Sequence, residues 1–278
     1  MPVLAGESAE PTGPPVANAI WVGGALGPLH ALCLASFVRA GHRTVLHCYE
    51  RPVDLPDGVE TADARRLMPE SRIIGYRRGG SFSLFSNLFR LKILEAGLGF
   101  YVDCDVFCLR PFPDADYLFG FETDYRLNGA VLKMPPQSPM LRDFLRIDDR
   151  HFIPPWFSAG KRGWLGLRQA LGLPAGIETY GWGELGPRAT TYFARQAGVL
   201  DKAQPADVFY PVPFERVGMF LDPGLSIEDI STSRTLGIHL YHEALKRQMT
   251  GPVAATSPLG RMFARCDREL PLTATTAA

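Results

Sequence analysis

Three consecutive segments near the start of the chain restrict its fold more than any other feature. Ala19 to Val22 (AIWV) is a short apolar run. Pro28 to Gly41 (PLHALCLASFVRAG) carries helical apolar spacing, and Thr44 to Glu50 (TVLHCYE) is a second apolar run. Two short apolar runs joined by a helix of that length pair most simply as parallel strands, with the helix crossing one face of the sheet. Pro28 suits a first helical position and Gly41 a helix stop. A long helix from about Ser81 to Ala96 followed by the strand GFYVD repeats the theme. The fold class expected is therefore α/β, with a mostly parallel central sheet flanked by helices and right-handed crossovers.

Beyond residue 105 the pattern loosens. LFGFE and LNGAVLKM read as strands, segments near Met140 to Asp149, Gly163 to Leu171 and Pro187 to Gln196 read as helices, and TLGIHLYH (Thr235 to His242) reads as the last core strand. No internal repeat and no linker divides this region, so residues 18–249 are expected to form one domain. Residues 1–17 and 250–278, rich in Pro, Ala, Thr and Gly, read as a poorly ordered N-terminus and a poorly packed C-terminal tail.

Composition narrows the function. With 278 residues and 46% hydrophobic content, a sizeable core is available. Lys plus Arg balances Asp plus Glu at 29 each. No global field therefore favours nucleic acid or an anionic membrane, although basic clusters such as Arg77 and Arg78 remain. Five cysteines without a CxxC pair suit reduced core thiols, with no disulfide and no zinc site. No run approaches the roughly 18 uncharged apolar residues of a membrane span, and the N-terminus lacks a signal-peptide pattern, so a cytoplasmic protein is expected. Arginine outnumbers lysine 24 to 5 beside abundant Ala, Gly and Pro, a bias that suits a GC-rich bacterial coding sequence.

The feature that points to chemistry is GFYVDCDVFC, Gly99 to Cys108, which sets Asp103 and Asp105 among Phe100, Tyr101, Val102, Val106 and Phe107. Unpaired charge is costly in such surroundings. If the strand continues through them, the two carboxylates share one face about 6 to 7 Å apart and can share a metal. Carboxylate oxygens suit Mg2+ or Mn2+, ions that commonly complete their shells with phosphate oxygens. The carboxyl end of a strand in an open α/β sheet is also where ligands bind. The plain alternative is a polar strand terminus. A second triplet, Asp114 and Asp116, lies between prolines and reads as a solvated turn. DCDVF is also similar to the DxDx[T/V] loop of haloacid dehalogenase-like phosphatases, where that loop follows the first strand, whereas here two or more strands come before it.

Several ordered segments extend the signal. AIWVGG, FSNLFRLKILEAGLGFYVDCD and the closing IHLYHE together resemble the DXD-containing sugar transferases of glycosyltransferase family 32 and their relatives, the clostridial glucosylating toxins, over most of residues 18–245. The resemblance implies a GT-A fold, Mn2+ or Mg2+, and a nucleotide-sugar donor, a UDP-sugar before GDP-mannose. Trp21 resembles the tryptophan that stacks on uracil, a role that suits an indole face. Ser83, Asn87 and Arg90 fall at i, i+4 and i+7 beside Ser86, a polar stripe that as plain structure is the solvated side of an amphipathic helix. By analogy Asn87 and Arg90 hold the donor sugar, Ser86 and Tyr101 line the nucleotide pocket, and Asn128 approaches the sugar. Asn87 stands where many relatives carry Asp, and GLGFY replaces their usual double glycine. GELGPRATTYFA is similar to the family's Gly-Pro turn, and Pro187 also serves simply as a first helical residue. In GIHLYHE strand alternation sets His239 and Tyr241 on one face, so a single histidine faces the site. His239 is the expected third metal ligand, with His242 at the strand exit as the alternative.

The function expected is a metal-dependent transfer of a hexosyl group from a nucleotide sugar to an acceptor hydroxyl, with retention implied by the resemblance. Asp103, Asp105, Arg90 and Asn128 are the candidate catalytic residues. An inverting enzyme would need a carboxylate base, for which Glu122 and Asp124 are candidates. The acceptor is a glycan, glycolipid or protein, as in bacterial polysaccharide or lipid-linked sugar assembly. The acceptor surface is placed between His151 and Gly186, where Trp156, Trp164 and Trp182 lie among glycines and prolines. The competing class is a nucleotide-sugar binding protein without catalysis, since the same ligands serve binding.

Overall fold

The structure, a computed structural model, describes residues 13–77 and 82–270. Strands run Ala17–Trp21 (β1), Thr44–Cys48 (β2), Val59–Asp63 (β3), Phe100–Val102 (β4), Val106–Cys108 (β5), Leu118–Thr123 (β6), Arg126–Lys133 (β7) and Gly237–His239 (β8). Helices run Pro28–Arg39 (α1), Ser83–Glu95 (α2), Pro139–Phe144 (α3), Ala159–Ala170 (α4), Pro187–Gln196 (α5), Ala206–Phe209 (α6), His242–Gln248 (α7) and Pro258–Arg265 (α8).

Among the described residues, six strands form one sheet in the order β3-β2-β1-β4-β7-β6. β1 to β4 are mutually parallel, β7 runs against β4, and β6 runs against β7. The expected α/β class holds. Apolar side chains alternate between the faces. Ala19, Phe100 and Val102 join a core with α1, α7 and α8, whereas Ile20 and Tyr101 join a core with α2, α3 and α5. β5 and β8 leave the sheet and pair antiparallel with each other.

Two local features fix this geometry. Gly99 has φ +122°, and a Cβ there would fall on the Val16 carbonyl, so only glycine lets β4 close onto β1 through the bond from Phe100 N to Val16 O (3.0 Å). Ser36 on α1 accepts a bond from Cys108 N at 2.7 Å and donates to Cys33 O, which anchors β5 to the helix.

Several expectations change. The edge strand β3 (VETAD) has too polar a pattern to be read as a strand, because an edge strand needs to bury only part of itself. The supposed tail includes α8, whose Ser257 caps it through Gly260 N at 3.2 Å and whose Leu259, Met262 and Phe263 are buried. Amphipathic spacing in PLGRMFAR, masked by flanking Pro, Thr and Gly, is the reason. Residues 1–12 and 271–278 of the expected loose ends, Arg78, and the expected helix start at Ser81 lie outside the described residues.

Candidate functional site

β1 and β4 lie side by side with α1 leading away in one direction, so the strand order reverses between them. Their carboxyl ends, Trp21 and Val102, mark the crevice where open α/β sheets bind ligands. Asp103 follows immediately. Its N–H donates to Ala130 O (2.7 Å) and its carbonyl accepts from Val106 N (3.1 Å), which turns the chain out of the sheet and into β5. Asp103 and Asp105 are therefore on a tight turn, and not on one face of the continuous strand that the sequence suggests. The cause is the change of partner: β4 pairs with β1 and β7 and ends after three residues, and β5 pairs with β8. Cys104 between the carboxylates is buried, its Sγ 3.5 Å from Ile20 O.

β8 carries the third group in. Val106 pairs with His239, Leu240 N donates to Asp105 O (2.9 Å), and His242 N donates to Asp105 Oδ2 (3.0 Å). His239 Nε2 lies 3.2 Å from Asp105 Oδ1. One ligand atom from each of Asp103, Asp105 and His239 lies within 4.8 Å of the others. Between the two histidines left open by the sequence, the structure brings His239 to the carboxylates. The His242 ring turns instead onto His30, 4.2 Å between centroids, and burial beside His30 pushes it down to about 4. Tyr241, at φ +50°, ends the strand alternation, yet its ring still packs 4.1 Å from that of His239.

Asn87 and Arg90 of the α2 stripe are buried, not solvated. Arg90 is 6% exposed. Its guanidinium reaches Asp103 Oδ1 (3.2 Å), Gly129 O (2.5 Å) and Ser86 O (3.2 Å), and lies 4.7 Å from the centre of the Tyr101 ring. A Cβ on Gly129 would collide with this guanidinium, so glycine at 129 makes room for it. Tyr101 is expected in the nucleotide pocket, but it is buried with its hydroxyl donating to Asp103 Oδ1 (2.5 Å). It positions the carboxylate from beneath, because the inward face of β4 leaves it no opening. Asn87 is also buried, its amide against Gly186 of the Gly-Pro turn. Ser86 is half-buried and its hydroxyl reaches back 3.4 Å to Phe82 O. Asn128 donates to Glu122 Oε1 (3.1 Å) and accepts from Ala130 N (2.9 Å), which locks its orientation. Trp21 is half-buried at the crevice, with Nε1 donating to Ala25 O (3.0 Å) and its ring 4.7 Å from His30.

The electrostatics are those of a site short of positive charge. Burial alone would raise the Asp105 carboxyl, but His239, the His242 amide and His30 outweigh it and hold it well below the usual range. Burial alone would depress His239, but Asp105, Asp103 and Glu122 raise it. His239 Nδ1 is buried without a hydrogen-bond partner. Two carboxylates and one imidazole, each offering one ligand atom, fit a divalent ion of the Mn2+ or Mg2+ kind. Sequence reasoning offered Glu122 only as a base and missed Tyr210, whose ring packs 5.8 Å from His239. Tyr210 lies in a run that reads as ordinary core, and nothing in its spacing connects it to the triplet.

No family model matches the chain, and no curated protein matches it. Among solved structures the chain is similar to the PaToxG glycosyltransferase, at 14% identity and a TM-score of 0.40, over 69% of this chain and 74% of that one. A likeness at this level says nothing of what the site does.

Proposed function

We propose that the chain is a metal-dependent, retaining glycosyltransferase that takes a hexosyl group from a nucleotide sugar, in the first place a UDP-sugar, and passes it to an acceptor hydroxyl. The observation that carries this reading is the meeting of Asp103, Asp105 and His239 at the carboxyl ends of β1 and β4, with Arg90 behind them. The resemblance of the sequence motifs to glycosyltransferase family 32 supports it: that resemblance implies Asp103 and Asp105 as metal ligands, and strand alternation in GIHLYHE adds His239.

Asp103, Asp105 and His239 would hold Mn2+ or Mg2+, and a divalent ion there supplies Lewis-acid stabilisation of a departing diphosphate. Tyr101 and Arg90 fix the Asp103 carboxylate, and the peptide amide of His242 fixes that of Asp105, so both ligands are preorganised. The Arg90 fork, anchored on Gly129 O and Asp103, sets a permanent positive charge beneath the donor. Trp21 borders the same crevice and offers an indole face to a flat base. Asn128, its amide held by Glu122 and Ala130 N, would reach the sugar only through its remaining N–H.

The test is Mn2+-dependent UDP release from a panel of UDP-sugars and GDP-mannose, with and without candidate acceptors. Asp105→Ala and His239→Ala are expected to abolish it. Unchanged nucleotide-sugar binding and turnover in both variants would contradict the site assignment. Binding without turnover for every donor would favour the non-catalytic reading, and hydrolysis of simple phosphate esters the dehalogenase-like one.

A further inference from the structure

Five of the ten exposed large apolar side chains among the described residues fall between positions 164 and 182: Trp164, Leu167, Leu171, Leu173 and Trp182. Three of them, Trp164, Leu167 and Leu171, follow helical spacing and form one stripe along α4. Its C-terminal turn extends the stripe. Gly172 at φ +70° lets Leu173 N bond back to Arg168 O (2.9 Å), and Arg168 Nε donates to Leu173 O (3.1 Å) while its guanidinium lies 4.9 Å from the centre of the Trp164 ring. The stripe is preformed and open.

α4 is poorly explained as part of the core. Leu165 is its one buried residue. A methyl group added to Gly160, Gly163 or Gly166 would meet nothing within 4 Å, so packing does not require glycine there, and each weakens the helix by about 1 kcal/mol relative to alanine. Such a helix gains most of its stability from whatever covers its apolar face.

Charge tells what the cover is. From Arg150 to Ile177 the chain contains Arg150, Lys161, Arg162 and Arg168 and no carboxylate, although the whole protein is neutral. Lys161 and Arg168 run along one side of the stripe. Beside them opens a cleft of about 670 Å³ lined by Arg77, Arg150, Lys161 and Arg168, with Glu178 as the carboxylate between them, 3.3 Å from Arg150 and 3.7 Å from Arg77. Four cations against one carboxylate leave the cleft suited to phosphate.

We infer that α4 and its C-terminal turn form a peripheral docking face for an anionic bilayer, with Trp164, Leu167, Leu171 and Leu173 entering the headgroup boundary and Lys161 and Arg168, which flank the stripe, meeting lipid phosphates. An apolar stripe of tryptophan and leucines flanked by basic side chains is the composition of interfacial helices. A second copy of the chain fits less well, because a two-fold contact through the stripe would set Lys161 and Arg168 near the same two cations of the second copy. Among the described residues no helix is long and apolar enough to cross a membrane, so attachment of this kind would be reversible. Docking through α4 does not depend on sugar transfer: vesicle binding by a protein without transferase activity would sustain it.

The experiment is co-sedimentation of the full chain with phosphatidylcholine vesicles and with vesicles also containing phosphatidylglycerol. The chain is expected to sediment with the anionic vesicles and not with the neutral ones. Lys161→Gln should weaken binding about fivefold, whereas Arg162→Gln, on the far side of the helix from the stripe, should weaken it less. Trp164→Ser, Leu167→Ser and Leu171→Ser together should weaken it roughly tenfold or more without lowering the melting temperature, since all three side chains are exposed. No binding to anionic vesicles, or binding indifferent to the triple substitution, would overturn the inference. So would a concentration-dependent dimer in sedimentation velocity that the triple substitution abolishes, which would assign the face to a second copy.

Discussion

The chain contains two Asp-x-Asp triplets eleven residues apart, and they have opposite fates. Asp114 and Asp116 are exposed, and Asp114 pairs with Lys133 at 2.5 Å with two-thirds of its side chain in solvent. Asp103 and Asp105 are enclosed by four separate segments: Arg90 from α2, Tyr101 from β4, His239 from β8 and the amide of His242 from α7. The letters are the same. What differs is that one triplet lies at the carboxyl edge of parallel strands, at the point where the strand order reverses, and the other lies in a proline-flanked loop.

The largest contrast should appear in activity. Asp105→Ala is expected to lower Mn2+-dependent UDP release by roughly 100-fold or more, the scale of losing a principal electrostatic stabiliser. Asp114→Ala should leave it within about twofold. Equal losses in the two variants, measured by steady-state kinetics, would break the comparison.

Stability should separate the regions next. Arg90→Leu removes the buried member of a partly buried pair, leaves Asp103 with the Tyr101 hydroxyl but no charge partner and leaves Gly129 O without its donor, a loss of about 3 kcal/mol in urea denaturation. Tyr101→Phe removes one hydrogen bond to the same carboxylate and should lower stability by about 1.5 kcal/mol. Asp114→Asn breaks only the ion pair of a carboxylate that is two-thirds in solvent, and a change within about 0.5 kcal/mol is expected.

The smallest effect concerns pH. In the folded protein His239 is raised above its usual 6.5 by the carboxylates around it. A raised histidine contributes stability that is complete below about 6.5 and is lost as pH rises through its folded value. Asp105, held low, contributes stability above its usual 3.8 that is lost as pH falls through its folded value. Chelator-treated protein should therefore lose stability as pH rises above about 6.5, and Asp105→Ala, which removes the largest of the charges that raise His239, should flatten that slope while Asp114→Ala retains it. Denaturation midpoints across that range provide the check.

Much of this was legible in the sequence, and the remainder has physical causes. α1 and α5 follow their Pro start signals, and β1, β2 and β7 follow their apolar runs, because these elements bury a whole face. The edge strand β3 carries too few apolar positions to show, and the three-residue β5 is hidden in the apolar run that begins with β4. Asp103, Asp105 and His239 were legible as candidate ligands. Their placement on a turn was not, since FYVDCDVFC has the composition of one continuous strand and only the change of pairing partner interrupts it. Alternation put Tyr101 on a strand, but it could not show that its hydroxyl lies beneath Asp103. Glu122 and Tyr210 reach the site through pairings that no local pattern encodes.

The most direct measurement is the anomalous scattering of a crystal soaked with Mn2+ and UDP. A manganese peak bounded by Asp103, Asp105 and His239, with the diphosphate beside it and the uracil at Trp21, is the result expected. A peak at Asp114 and Asp116, or a bound nucleotide away from the β1 and β4 crevice, would contradict the account.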